Sequence, residues 1–195
     1  MSVVTLALLA LVAAGGALLV RGAETRRVPR GRQLVGGGGA ARGRGPLGAL
    51  VLVVLLAGAA ATAWAGDPAT PWLRSAVAVA AVAAAALGGG PVVTAVLAAA
   101  DPTRAVSALG ASTPGIADPD VLRGGAWIGV LERLALAATL LAGWPEGVPV
   151  VLAVKGLGRF QALKETPAAE RFIVGTLASV LWAAGCAGAA VLVRV

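Results

Sequence analysis

Seven polar side chains in the last third of the chain stand where they could do chemistry. Glu132 and Arg133 are adjacent in Trp127-Ile128-Gly129-Val130-Leu131-Glu132-Arg133. Lys155 and Arg159 are four apart in Val154-Lys155-Gly156-Leu157-Gly158-Arg159-Phe160, and Glu170 heads a stretch that carries Thr176 and Ser179. Acids and bases set in apolar surroundings admit three readings. They can be ion pairs that fix helix register. They can belong to a polar face that docks a partner protein or an identical subunit. Or Glu132 can titrate a proton while Lys155 and Arg159 attract an anion, as in a transporter of a small solute or ion.

Enzyme chemistry is poorly supplied. The chain has no His, no Tyr and a single cysteine, Cys186, which removes His-based acid–base catalysis, His or Cys metal sites and an internal disulfide. The closest acids, Asp118 and Asp120, flank Pro119 and have no third ligand; they read as a turn and a helix start. No metal, no cofactor and no nucleic-acid partner is expected.

The elements that position these residues follow from composition. Of 195 residues, 58% are apolar and 13% charged, and the mean hydropathy is +0.89. A soluble domain is about 45–50% apolar and about 25% charged, so an all-α, polytopic integral membrane protein is expected. About 20 apolar residues cross a bilayer as a helix. Six stretches approach this: Val3–Val20, Pro46–Ala65, Ser75–Ala100, Trp127–Gly143, Gly147–Leu163 and Glu170–Val193. Val3–Val20 reads as a retained helix rather than a signal peptide, because its basic residues follow it instead of preceding it.

Charge orients the spans. The loop 21–45 holds Arg21, Arg26, Arg27, Arg30, Arg32, Arg42 and Arg44, with Glu24 its only acid. Cytoplasmic loops collect such residues. With that loop inside, alternation also brings Arg104, Arg123, Lys164 and Arg171 inside and leaves Arg74 and Arg194 outside, eleven against two. Both termini then face outward. Trp64, Trp72 and Trp144 fall at the outer ends of spans, where the interface favours Trp, while Phe160 and Phe172 fall toward the inner side. The seven arginines would meet anionic lipid head groups, and Gly36–Gly39 among them read as a flexible linker. The phosphate-loop pattern is absent there.

Three units result: a hairpin over 1–65, a third span with its loop over 66–125, and a three-helix module over 126–195. Within the third span, Gly88, Gly89, Gly90 and Pro91 predict a kink, or a break that sends Pro91–Ala100 back as a re-entrant piece. Asp101-Pro102 predicts the start of a short interfacial helix through Ala108. In the last unit, a turn centred between Pro145 and Glu146 sets Glu132 level with Arg159. A second turn near Pro167 sets Lys155 level with Ser179. Glu132 is thus expected to bridge to Arg159, with Lys155 held by Ser179, Thr176 or backbone carbonyls. Gly125 with Gly129, Gly156 with Gly158, and Gly175 with Ser179 are the small residues expected at the helix contacts.

Gly125-x-x-Ile128-Gly129-x-Leu131-Glu132-Arg133, then Lys155-x-x-x-Arg159-Phe160, then Glu170-x-Phe172-Ile173-x-Gly175-Thr176-Leu177-x-Ser179 together resemble the C-terminal part of a family of bacterial inner-membrane proteins of unknown function. The resemblance covers about 125–180. It implies a multi-pass protein of the bacterial plasma membrane and no particular activity.

Overall fold

The computed structural model describes residues 2–24, 44–66, 69–100, 125–160 and 166–193. Among the described residues there are six helices and no strand: α1 (Ser2–Glu24), α2 (Arg44–Trp64), α3 (Pro71–Ala100), α4 (Gly125–Leu141), α5 (Gly147–Gly158) and α6 (Thr166–Leu192). Four of them, α1, α2, α3 and α6, are long and apolar enough to cross a membrane. The other two fall short of the six equivalent spans the sequence predicts. α4 has 17 residues. α5 has 12, about 18 Å of helix at 1.5 Å per residue, against a hydrocarbon core of about 30 Å. α5 ends at Gly158, before the expected Leu163, and Arg159 and Phe160 close it with i→i−3 bonds to Gly156 and Leu157.

α3 is the hub. It packs against α1, α2, α4 and α6, whereas α5 rests on α4. The buried positions of α3 include Leu73, Val77, Ala81, Ala84, Ala85, Gly88 and Val92, a three-and-four spacing that turns one stripe inward along the whole helix. Much of the core is alanine and glycine. Small side chains let backbones approach, which substitutes for the hydrophobic driving force that lipid cannot provide. The closest approach is Gly16 of α1 on Gly88 of α3, where a Cβ at Gly16 would stand 2.6 Å from the Leu87 carbonyl oxygen. Gly88 in turn lies under the Trp182 ring, 2.7 Å from where its own Cβ would be.

α3 therefore runs unbroken through Gly88–Pro91, as one helix and not as a re-entrant pair. Pro91 donates no hydrogen bond to Leu87, but the helix continues because the flanking packing is continuous. Thr94 Oγ1 donates to the Pro91 carbonyl at 2.9 Å. Near the opposite end, Thr5 of α1 and Thr62 of α2 share a hydrogen bond at 3.0 Å. Thr62 donates to its own Ala59 carbonyl, so Thr5 is the donor to Thr62.

Arg21, expected in the loop, lies in the last turn of α1, and Arg44 is the first residue of α2. Arg26, Arg27, Arg30, Arg32, Arg42 and the Asp101–Ala108 segment lie outside the described residues. Trp64, Trp72 and Trp144 are all exposed at or near helix ends.

Candidate functional site

α4 and α5 are joined by a turn whose geometry decides which charges meet. Gly143 has a φ of 72°, and it donates to Leu140 while Trp144 donates to Thr139 at 2.9 Å. This is the paired-bond C-terminal cap that favours glycine in the left-handed region. Gly147 then packs directly on Thr139 and Trp144, where a Cβ would collide. The hairpin is thereby centred at Gly143-Trp144, earlier than the Pro145-Glu146 expected.

That shift changes the partner. Lys155 Nζ donates to Glu132 Oε1 at 2.7 Å, with the two side chains 21% and 5% exposed. Arg159, expected to bridge Glu132, is exposed at the end of α5. Nor is Lys155 held by Ser179 or Thr176: its Nζ lies 5.4 Å from the centroid of the Phe172 ring on α6. A cation over an aromatic face at that range is attracted by the ring quadrupole, so Phe172 ties α5 to α6 at the level of the ion pair. Ser179 is buried, and the Thr176 hydroxyl is buried without a hydrogen-bond partner. Glu170 and Arg171 are exposed.

Arg133 is the second centre. It enters the bundle and is 6% exposed. Its Nε donates to the Ala85 carbonyl at 3.1 Å and lies 3.4 Å from that of Ala86; its Nη2 donates to Ala86 at 3.1 Å. Ala85 and Ala86 are halfway along α3, a helix long and apolar enough to cross a membrane. A charge at the centre of a transmembrane helix costs at least about 2.5–3.5 kcal/mol, and carbonyl dipoles such as these offset part of that cost. The Glu132–Lys155 pair is neutral, so Arg133 leaves the cluster with one net positive charge.

Glycines make room for this guanidinium. A Cβ at Gly89 would overlap the Arg133 Cδ, and one at Gly129 would stand 3.1 Å from Nη1. Gly129 therefore accommodates a side chain of its own helix. Gly156 and Gly158 face open space, where an added Cβ would meet no atom within 4 Å, and Gly175 makes only ordinary contact with Leu97 and Val93 of α3. The surroundings of Gly125 lie outside the described residues. Of the expected packing glycines, then, Gly156 and Gly158 meet no neighbour; they flank the face of α5 that carries Lys155.

Trp182 is the residue that sequence reasoning missed. It is 4% exposed, and its Nε1 donates to the Ala84 carbonyl at 3.2 Å. Three successive α3 carbonyls, at 84, 85 and 86, thus receive side-chain donors from two other helices, just before the proline. The available signal was a Trp in mid-span, away from the interface it usually seeks.

Among the described residues no group of three or more His, Cys, Asp or Glu is placed to hold a metal ion. Comparison with known proteins gives no match: no protein-family model fits the chain, and neither a curated protein nor a solved structure is significantly similar to it.

Proposed function

We propose that the chain is a small multi-pass protein of the bacterial plasma membrane with a structural or assembly role, its intramembrane charges serving as pins between helices. One observation supports this best: the buried charges are turned onto the protein's own groups. Glu132 takes Lys155, and Arg133 takes α3 carbonyls. A transport site would instead present these groups to a passing ion.

The proposed orientation keeps both termini outside. α4 and α5 form a hairpin entered from the inner face, so the hairpin preserves the parity of the long helices whether or not its tip reaches the outer surface. The arginine-rich loop and the positions of Trp64, Trp72 and Trp144 support that direction. The bacterial inner membrane rests on the motif resemblance over about 125–180.

The test is thermal unfolding in detergent of Glu132→Gln, Lys155→Met, the double variant, and Arg159→Gln as control. Removing one partner of a buried pair strands the other charge, a loss of about 3 kcal/mol, and removing both recovers most of it. Arg159→Gln is expected to be silent. Neutral or stabilising single variants would instead mean that the charges are retained for a purpose other than stability, and the transporter reading would replace this one.

A further inference from the structure

We infer that residues 88–91 form a hinge in α3, about which the arm 92–100 swings while Trp182 and Arg133 hold the carbonyls that the opening turn releases. The inference rests on the membrane-embedded part of the reading above, not on the assembly role.

The hinge lies in the hydrogen-bond ladder. In an α-helix the N–H of residue i bonds the carbonyl of residue i−4. Gly88, Gly89 and Gly90 therefore pair with Ala84, Ala85 and Ala86, and Pro91 has no N–H to give Leu87. Those same three carbonyls receive donors from other helices: Trp182 Nε1 at Ala84, Arg133 Nε at Ala85 and Arg133 Nη2 at Ala86. Each glycine N–H thus shares its acceptor with a side chain. In hydrocarbon no water replaces a lost backbone bond, and Gly and Pro are accommodated where neighbouring side chains satisfy the released groups. In the straight helix the glycine N–H groups already serve these carbonyls, so the second set of donors matters most when the turn opens. Those donors reach the backbone because 88 and 89 are glycine. A Cβ at Gly88 would stand 2.7 Å from the Trp182 ring, and one at Gly89 would overlap the Arg133 Cδ. The same glycines tolerate the φ and ψ changes that opening requires. Beyond the proline, the Thr94 hydroxyl lies 2.9 Å from the Pro91 carbonyl and 3.1 Å from that of Gly90, a back-bond of the kind that bends helices.

The two sides of the hinge are held unequally. Before it, Trp182 and Arg133 pin α3 to α6 and α4, and the buried stripe runs from Leu73 to Gly89. Among 92–100 only Val92 is buried, and Thr94, Val96, Ala98, Ala99 and Ala100 are exposed. Against α6 the arm sets Val93 and Leu97 on Gly175, where even an added Cβ would find them at 3.6 Å or more. A glycine offers the arm nothing to interlock with. The proline thus separates a pinned half from a half that leans on its neighbour.

The experiment uses the full chain, with Cys186→Ala removing the native thiol and nitroxides attached at Leu47→Cys on α2 and Ala99→Cys on the arm, both exposed. It is reconstituted in vesicles of phosphatidylglycerol and phosphatidylcholine, flotation is recorded, and the distance distribution between the labels is measured by double electron–electron resonance. A kink of about 20° at the proline carries Ala99 through about 4 Å. The wild-type distribution should spread by that amount beyond the distribution of Pro91→Ala, which restores the bond to Leu87 and should give one narrow distance. Trp182→Phe keeps a ring but withdraws the donor from Ala84, so opening would strand that carbonyl and the distribution should narrow toward that of Pro91→Ala. Equal widths in the wild type and Pro91→Ala, whether narrow or broad, overturn the hinge. A Trp182→Phe distribution as broad as the wild type, or broader, overturns the role given to the side-chain donors, which would then be idle or act as clamps. Either result in a chain that floats leaves the membrane reading intact. A chain that fails to float overturns both.

Discussion

Gly16 and Gly156 are both glycines inside apolar helices, and their surroundings are opposite. Gly16 touches the backbone of α3, whereas Gly156 faces open space on a helix that rests on α4. The contrast extends to the regions around them. The seam of α1, α3 and α6 is held by backbone proximity and alanine packing. The α4–α5 hairpin is held by one ion pair, one cation–π contact and a glycine turn. In lipid, where burying apolar surface gains little, close packing and polar contacts are the two ways to bind helices; the α1–α3 contact rests on the first, the α4–α5 hairpin on the second, and Trp182 and Arg133 combine both on α3.

The seam should be the more fragile to added volume. Gly16→Leu drives a side chain into the Leu87 carbonyl and the Gly88 backbone, atoms that cannot rotate away as a flexible side chain would. Overpacking of this kind costs about 3 kcal/mol. Thermal unfolding in detergent measures it, and a wild-type melting temperature for Gly16→Leu would show that the α1–α3 contact does not hold the bundle.

Arg133 joins the two regions, since it leaves α4 and ends on α3. Arg133→Lys keeps the charge but replaces a planar fork with a single ammonium on a different stem. It cannot meet the Ala85 and Ala86 carbonyls from two nitrogens as the guanidinium does. A loss of about 1.5 kcal/mol is expected, the scale of one hydrogen bond to a charged group, again by thermal unfolding. If Arg133→Lys equals the wild type, the geometry at α3 is immaterial and charge alone matters there.

How much of this was legible in the sequence depends on which interaction is in question. Apolar run lengths predict the four long helices, because hydrocarbon thickness sets a length and little else competes. Partner choice is different. Lys155 and Arg159 share a helix face, so either satisfies the pattern that places a base beside Glu132. Only the centre of the turn distinguishes them, and a shift of one turn exchanges one for the other. Gly143, following a leucine-rich helix end, carried that information as a cap residue, yet Pro145 drew the centre later. The Arg133 and Trp182 contacts end on backbone carbonyls of α3, which have no sequence signature at all. Only the donor ends were legible, as an Arg and a Trp in mid-span; their acceptors were not.

The smallest effect expected is also the sharpest contrast with Gly16. Gly156→Ala adds a methyl where no atom lies within 4 Å, so nothing must move. Alanine also gives up less backbone freedom than glycine on entering a helix, a gain of about 0.5–1 kcal/mol in water. The substitution lies one residue from Lys155 without touching the ion pair. A slightly raised melting temperature is therefore expected from a change of the same kind that, enlarged at Gly16, should cost about 3 kcal/mol. A clear loss for Gly156→Ala would mean that this face of α5 is covered in the membrane, and an associating helix or a second copy of the chain would be the first candidate for what covers it.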